Sequence, residues 1–196
     1  SEMIPSISAE CFIACVYNEK RNETANNHTA THLLHYALRK VLGTHIEQKG
    51  SYVNSNYLRF DFSHFEKVTH EQLREVEKIV NALIREDFAK QEFRDIPIDE
   101  AKAMGAMALF GEKYGNRVRA VKFGDSIELC GGTHAASTGS LGMLKILSES
   151  AVAAGVRRIE ATTGSGVEAY IYSLEDTLIN MKEFFEGTTD IVNSVK

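Results

Sequence analysis

The run RVRAVKFGDSIELCGGTH, residues 117–134, reads as a β-hairpin that ends in a pair of metal-type ligands. RVRAVKF and SIELC are strand-like segments joined by Gly124-Asp125, a turn signal that favours antiparallel pairing. The thiol of Cys130 then stands at a strand end. Gly131 and Gly132 are expected to let the chain turn sharply and bring the imidazole of His134 back towards that thiol. About a hundred residues earlier, NHTATHLLH (27–35) carries His28 and His32. An i, i+4 pair on a helix projects from one face roughly 6 Å apart, so two imidazoles can close on a single ion. Imidazole with thiolate is a donor set that zinc prefers. His28, His32, Cys130 and His134 thus read as two halves of one site between a helix and a strand-end turn. Alone, an HxxxH is more often surface or core histidine and a single cysteine a small buried hydrophobe; the two pairs together carry the reading.

Outward from these pairs, 27–42 is helical by pattern. Ala30, Leu34, Ala37, Leu38 and Val41 recur at 3.6 spacing, Arg39 and Lys40 fill the last turn, Gly43 stops it, and Asn27 is the expected N-cap. His28, His32, His35 and Arg39 fall on a separate face, where His35 is expected to support a ligand or be solvated. Tyr52-Val53 and YLRFDF read as a hairpin across Asn54, Ser55 and Asn56, with Leu58, Phe60 and Phe62 turned to a core. Thr69 with Gln72 forms a capping-box pattern opening a helix marked by Leu73, Val76, Val80, Leu83 and Ile84. A shorter helix is expected at 99–110, strands in MLKILSES and VRRIEATTG joined at Ala154-Gly155, and a final helix at 167–185. Hairpins interleaved with separate helices indicate an α+β fold, a mostly antiparallel sheet packed with helices. No phosphate-binding glycine fingerprint points to a doubly wound alternative.

At 196 residues the chain suits one domain, or one plus an appendage, with a sizeable core. Hydrophobic residues at 43% and charged residues at 25% are ordinary for a soluble protein, and no apolar run approaches a membrane span. Cys11, Cys15 and Cys130 are an odd number with no disulfide framework or signal peptide, so a reducing cytoplasm is expected. A net charge of −5 argues against wholesale coating of nucleic acid, while leaving room for local phosphate contacts at Arg39 and Lys40, at Lys113, Arg117 and Arg119, or at Arg157 and Arg158. Gln48, Lys49, Gly50 and Ser51 are expected in a loop that can approach the ion. There Gln48 suits a small polar substrate or a water, and Lys49 a phosphate. Arg59 and Asp61 read as a structural ion pair. Glu128 lies near Cys130, but no HExxH is present, which counts against a zinc peptidase. Four candidate ligands leave two zinc chemistries open: a closed structural site, or a catalytic one with a loosely held ligand.

HTATHLLH, HIEQKGSYV, LRFDFSH, ALFGEKYG, ELCGGTH, TGSLG and GVRRIEATTG, in this order, resemble the editing domain of alanyl-tRNA synthetases over residues 21–169. The related threonyl-tRNA synthetase editing domain shares the HxxxH helix, but its cysteine motif usually reads CRGPH. The resemblance implies hydrolysis of the ester joining serine or glycine to the tRNA for alanine. It implies zinc held by His28, His32, Cys130 and His134, catalytic parts for Cys130 and Gln48, and a substrate pocket at Gln48, with Thr29, Lys49 and Ser51 as further contacts. It also implies an excised fragment: residues 1–20 a remnant of a preceding domain, 21–169 the deacylase, and 170–196 a helix leading to a missing one. The ATP-dependent aminoacylation domain lies elsewhere in such proteins. Editing of this kind has a physical motive, since a site built for alanine cannot strongly reject glycine or serine. A freestanding deacylase, a tRNA-binding module with structural zinc and a zinc hydrolase of unrelated esters are the alternatives.

Overall fold

Residues 15–108 and 114–183 are described by a computed structural model. Helix α1 (Asn18–Leu42) is followed by strands β1 (Gln48–Val53) and β2 (Leu58–Ser63), and then by helix α2 (His70–Arg85). Next come β3 (Gln91–Pro97), α3 (Ile98–Ala103), β4 (Arg117–Phe123) and β5 (Ser126–Leu129). A short 3₁₀ turn, Thr138–Leu141, leads to β6 (Leu144–Ala153), β7 (Val156–Thr163) and α4 (Ser165–Glu183). The strands form two antiparallel sheets, one of order β1-β2-β7-β6 and one of order β3-β4-β5. The fold is α+β. No helix among the described residues is long and apolar enough to cross a membrane.

Helix α1 is the centre of the molecule. It packs on α2, on β1, β2 and β7 of the larger sheet, and on β5 of the smaller one. Ala30, Leu33, Leu34, Ala37 and Leu38 are fully buried, and Thr29, His32 and His35 are buried as well, so little of this stretch faces water. The helix starts nine residues before the expected point, because Asn27 is not its cap. Asn27 is buried inside it, where its Nδ2 donates to the carbonyls of Asn54 and Ser55 and its Oδ1 accepts from Thr163. Tyr17 holds the N-cap position instead, and Gly43 ends the helix at a φ of 116°. The expected boundary at residue 20 therefore falls within α1, and the one at 170 within α4; residues 1–14 and 184–196 lie outside the described ones.

Strand β2 alternates as its sequence dictates, burying Leu58, Phe60 and Phe62. The capping box of α2 is present: Thr69 Oγ1 accepts from Gln72 N at 3.2 Å, and Gln72 Oε1 from Thr69 N at 2.9 Å. The β6–β7 hairpin closes across Ala154-Gly155, Gly155 having a φ of 69°. Two expectations need correction. The segment 48–51 is no loop but the first part of β1, with a bulge between Gln48 and Gly50. The helix expected at 99–110 ends at Ala103, because Gly105 takes a left-handed φ of 85° and Met107 then bridges Glu128 beside β5; Phe110 is outside the described residues.

The smaller sheet places the second ligand pair by parity. Val118 and Ala120 of β4, with Ile127 and Leu129 of β5, join Ala101 and Ala106 in a minor core. Val121 and Phe123 face the other way, into the main core with α1. The pairs Val121↔Glu128 and Phe123↔Ser126 put Ser126 and Glu128 on that same face. Successive side chains of a strand alternate, so Cys130, two positions on, is aimed at α1 as well.

Candidate metal centre

Each half of the cluster is positioned from behind. His28 Nδ1 lies 3.1 Å from the Thr133 carbonyl, which can only accept, so that nitrogen carries the proton and Nε2 keeps its lone pair. Nε2 sits 3.5 Å from Cys130 Sγ. His134 Nε2 lies 3.3 Å from the same sulfur, while its Nδ1 meets Thr29 Oγ1 at 3.1 Å. Thr29 Oγ1 in turn accepts from Ala135 N. His32 directs Nε2 to Glu128 Oε2 at 3.4 Å, leaving Nδ1 buried with no hydrogen-bond partner among the described residues. All four residues offer donor atoms within 4.8 Å of one another.

The separations of 3.5 and 3.3 Å from Cys130 Sγ to His28 and His134 suit a tetrahedral ion, while the full set is spread over as much as 4.8 Å. Zinc bonds of about 2.05 Å to nitrogen and about 2.3 Å to sulfur place neighbouring donors about 3.4–3.6 Å apart. A buried, partnerless imidazole nitrogen beside a thiol is costly unless something binds it, and a metal ion satisfies it. The donor set therefore fits zinc by the chemistry of its ligands and by its two donor separations to sulfur. Burial is the main cause that lowers the pKa of His28, pushes that of His32 far down, and brings that of His134 to about 3. All three rings are held neutral near pH 7, the form that ligates.

Glu128 and Arg119 act around this set. The Glu128 carboxylate is buried between two imidazoles, His32 and His35, the latter with Nδ1 at 3.0 Å, and its pKa is raised chiefly by desolvation. A carboxylate behind a ligand histidine fixes its tautomer and orientation. His35 thus faces Glu128 and is not among the four grouped donors. Arg119 on β4 donates from Nη1 to the carbonyls of Cys130, at 2.5 Å, and Gly132, at 2.9 Å, and from Nε to Glu92 at 2.6 Å, pinning the CGG turn. Neither role was evident from the sequence; the i, i+2 spacing of Glu128 to Cys130 was the available signal. The turn brings thiol and imidazole together as expected, and it does so with neither glycine in a left-handed backbone. Gly132 is required for space: a Cβ there would stand 2.3 Å from His28 Cε1, whereas one at Gly131 would meet no described atom within 4 Å.

None of the other expected site residues belongs to the donor group. Gln48 lines a cleft of about 240 Å³ with His35, Arg39, Ile46, Glu47 and Met107, reached from the cluster through Glu128 and His35. Its Nε2 donates to Ser51 Oγ at 3.1 Å, and Lys49 pairs with Glu47 at 2.9 Å. Thr29 has no exposed surface and sits behind His134, so the structure places it as a support for a ligand instead of a wall of a substrate pocket. Asp61 bonds Arg158 at 2.7 and 2.8 Å, a tighter pairing than the 4.0 Å to Arg59.

The pattern of the threonyl and alanyl tRNA synthetase second additional domain family matches residues 118–160. An alanine–tRNA ligase of Porphyromonas gingivalis is 56% identical over 193 residues, 98% of this chain and 22% of that protein. One from Bacteroides fragilis is 58% identical over 191 residues, 97% and 22% respectively, and one from Flavobacterium psychrophilum 54% over 195 residues, 100% and 22%. The chain spans about 22% of the length of these relatives.

Proposed function

Because this chain belongs to the threonyl and alanyl tRNA synthetase second additional domain family, in the form carried within alanine–tRNA ligases, we propose that it is a zinc-dependent aminoacyl-tRNA deacylase. Its substrates are tRNA for alanine wrongly charged with serine or glycine, and its setting is the cytoplasm. The whole protein is an ATP-dependent alanine–tRNA ligase that supplies the aminoacylation site. The observation that carries the proposal is the convergence of three neutral imidazoles and one thiol within 4.8 Å, backed by a buried carboxylate and an arginine clamp.

His28, His32, Cys130 and His134 would hold the ion. When bound, zinc would supply Lewis-acid chemistry at an ester held there. The chain's own residues do the rest. Thr133, Thr29 and Glu128 fix the three histidine rings through the bonds described above. Arg119 holds the Cys130–Gly132 backbone in register. Gln48, oriented by Ser51, presents its carboxamide to the cleft beside His35, where it senses the small side chain of the amino acid, with Lys49 next to it on β1.

A second reading is favoured by the number of donors. Four protein ligands commonly make a closed structural site, and the domain would then bind tRNA without turning it over. Measuring release of serine and of alanine from charged tRNA, with Cys130→Ala and Gln48→Ala beside the wild type and zinc content determined for each, separates the two. Loss of serine but not alanine, abolished together with zinc in Cys130→Ala, supports the deacylase. Stoichiometric zinc without hydrolysis supports the binding module.

A further inference from the structure

Two of the sequence motifs, HIEQKGSYV and LRFDFSH, each carry a histidine that the metal centre does not use, His45 and His64. The fold brings them together: His45 Nε2 lies 2.9 Å from His64 Nδ1, one imidazole bonded to the other. On its other side the His45 ring rests against Gly43, where an added Cβ would stand 3.1 Å from Nδ1. The backbones are laced at the same place. Ser63 N donates to the Glu47 carbonyl at 3.0 Å, and Ser63 Oγ donates to the His45 carbonyl at 2.8 Å while accepting from Glu47 N at 2.9 Å. From α1, Arg39 Nη1 donates to the carbonyls of Thr44 and Ile46 at 2.8 and 2.7 Å. The 43–47 loop is thus tied to α1 on one side and to the end of β2 on the other. Its last two residues, Ile46 and Glu47, line the cleft of Gln48, which follows them directly. Among these ties, the imidazole pair is the one made by two titratable side chains.

We propose that His64 is a positioning residue for the Gln48 cleft, acting through His45 as a clip that is closed while at most one of the two rings is charged and opens when both are. The proposal rests on the deacylase reading for what the cleft holds, while the clip rests on the contact alone. A bond between imidazoles needs one N–H and one lone pair. Two neutral rings supply them, and so do one neutral and one protonated ring, with a stronger, charge-assisted bond. Two protonated rings offer only N–H groups and set like charges 2.9 Å apart. Partial burial is the chief cause that lowers the pKa of His64, followed by His45; Arg157 on β7 also lowers it, while Glu66 and, on β6, Glu149 act the other way. Glu149 is paired with Arg157 at 2.6 Å, and Glu47 in the loop with Lys49 at 2.9 Å, so these two carboxylates have cations of their own. The folded-state pKa of His64 lies below the ordinary 6.5, so the clip is whole above that pH and is lost as pH falls from 6.5 towards the lower folded value.

The test follows the Gln48 side-chain amide by NMR in the zinc-loaded chain from about pH 7.5 to about pH 5.5, beside KM and kcat for seryl-tRNA over the same range, with zinc content determined on each sample. In the wild type the Gln48 signal should move with the midpoint of the His64 ring, and KM should rise about fivefold, the size of one net hydrogen bond, while kcat changes less. His64→Asn presents a carboxamide where Nδ1 stood and can bond His45 whether that ring is neutral or charged. Its Gln48 signal and KM should therefore follow pH less than those of the wild type by that same factor of about five. His64→Ala leaves His45 without this partner and should show the displaced signal and the raised KM already at pH 7.5. The full wild-type response to pH in His64→Asn, or wild-type values at pH 7.5 in His64→Ala, would overturn the proposal. The NMR reading needs no turnover, so a zinc-loaded wild type whose Gln48 signal follows His64 yet releases no serine would support the clip and overturn the deacylase reading instead.

Discussion

Replacing Gly132 with alanine should damage metal binding far more than folding, and the size of the effect follows from one close approach. Carbon atoms in van der Waals contact lie about 3.5–4.0 Å apart. A Cβ at 132 would stand 2.3 Å from His28 Cε1 and 2.8 Å from Nδ1, so the ring must retreat by roughly 1 Å. That same Nδ1 donates to Thr133 O at 3.1 Å, and the opposite nitrogen is 3.5 Å from Cys130 Sγ. Metal–ligand distances tolerate about 0.2 Å, so the ring cannot both clear the methyl group and stay in the donor set. Disturbing the group that orients a ligand histidine typically lowers affinity about 10–100-fold, or about 1.4–2.8 kcal/mol. In the zinc-free chain the half-buried ring can swing outward, so stability should change by less than about 1 kcal/mol. The assay is zinc competition against a chromophoric chelator, paired with melting of the zinc-free proteins. Gly131→Ala is the internal comparison, because no described atom lies within 4 Å of its added carbon and its backbone is unstrained. Wild-type affinity in Gly132→Ala, or equal losses in the two variants, would refute this account of the turn.

Glu128→Gln removes the carboxylate that faces His32 and His35, and should lower zinc affinity about 10–100-fold in the same competition assay, with a red-shifted or weakened spectrum of the cobalt-substituted protein. Phe60→Ala, at a fully buried position on the central strand β2, should cost about 3–5 kcal/mol in urea unfolding of the zinc-loaded chain with little effect on the affinity of the folded protein for metal. The zinc-free chain should also lose stability as pH falls. His28, His32 and His134 have folded-state pKa values below the ordinary 6.5, His134 near 3, so the unfolded chain takes up more protons. Their contribution is whole above pH 6.5 and is lost progressively towards pH 3, read as a falling urea midpoint between pH 7.5 and 5. A flat midpoint across that window would contradict it.

Much of this arrangement is legible in the residues. The i, i+4 spacing of His28 and His32 and the hairpin ending at Cys130 suffice to bring four donors together, and the alternation of Leu58, Phe60 and Phe62 assigns the buried face of β2. Strand β3 is not legible. A bulge between Phe93 and Ile96, with Asp95 at a left-handed φ of 52°, spoils the period-two pattern, and most of its positions are charged or exposed. Asn27 misleads for the opposite reason: a polar residue before an apolar run reads as a cap, while here it is a buried bridge from α1 to the β1–β2 turn and β7. The clamp made by Arg119 and the space made by Gly132 depend on tertiary neighbours that no local pattern announces.

The central claim is that one zinc ion, held by His28, His32, Cys130 and His134, is required for release of serine from tRNA. Zinc should be removed and then returned in fractions of an equivalent while the initial rate of serine release from seryl-tRNA is followed. The expected result is no release from the stripped chain and a rate that rises linearly to a plateau at one equivalent, absent in Cys130→Ala. Full hydrolysis by the stripped chain, or one equivalent of zinc bound with no hydrolysis, would contradict it.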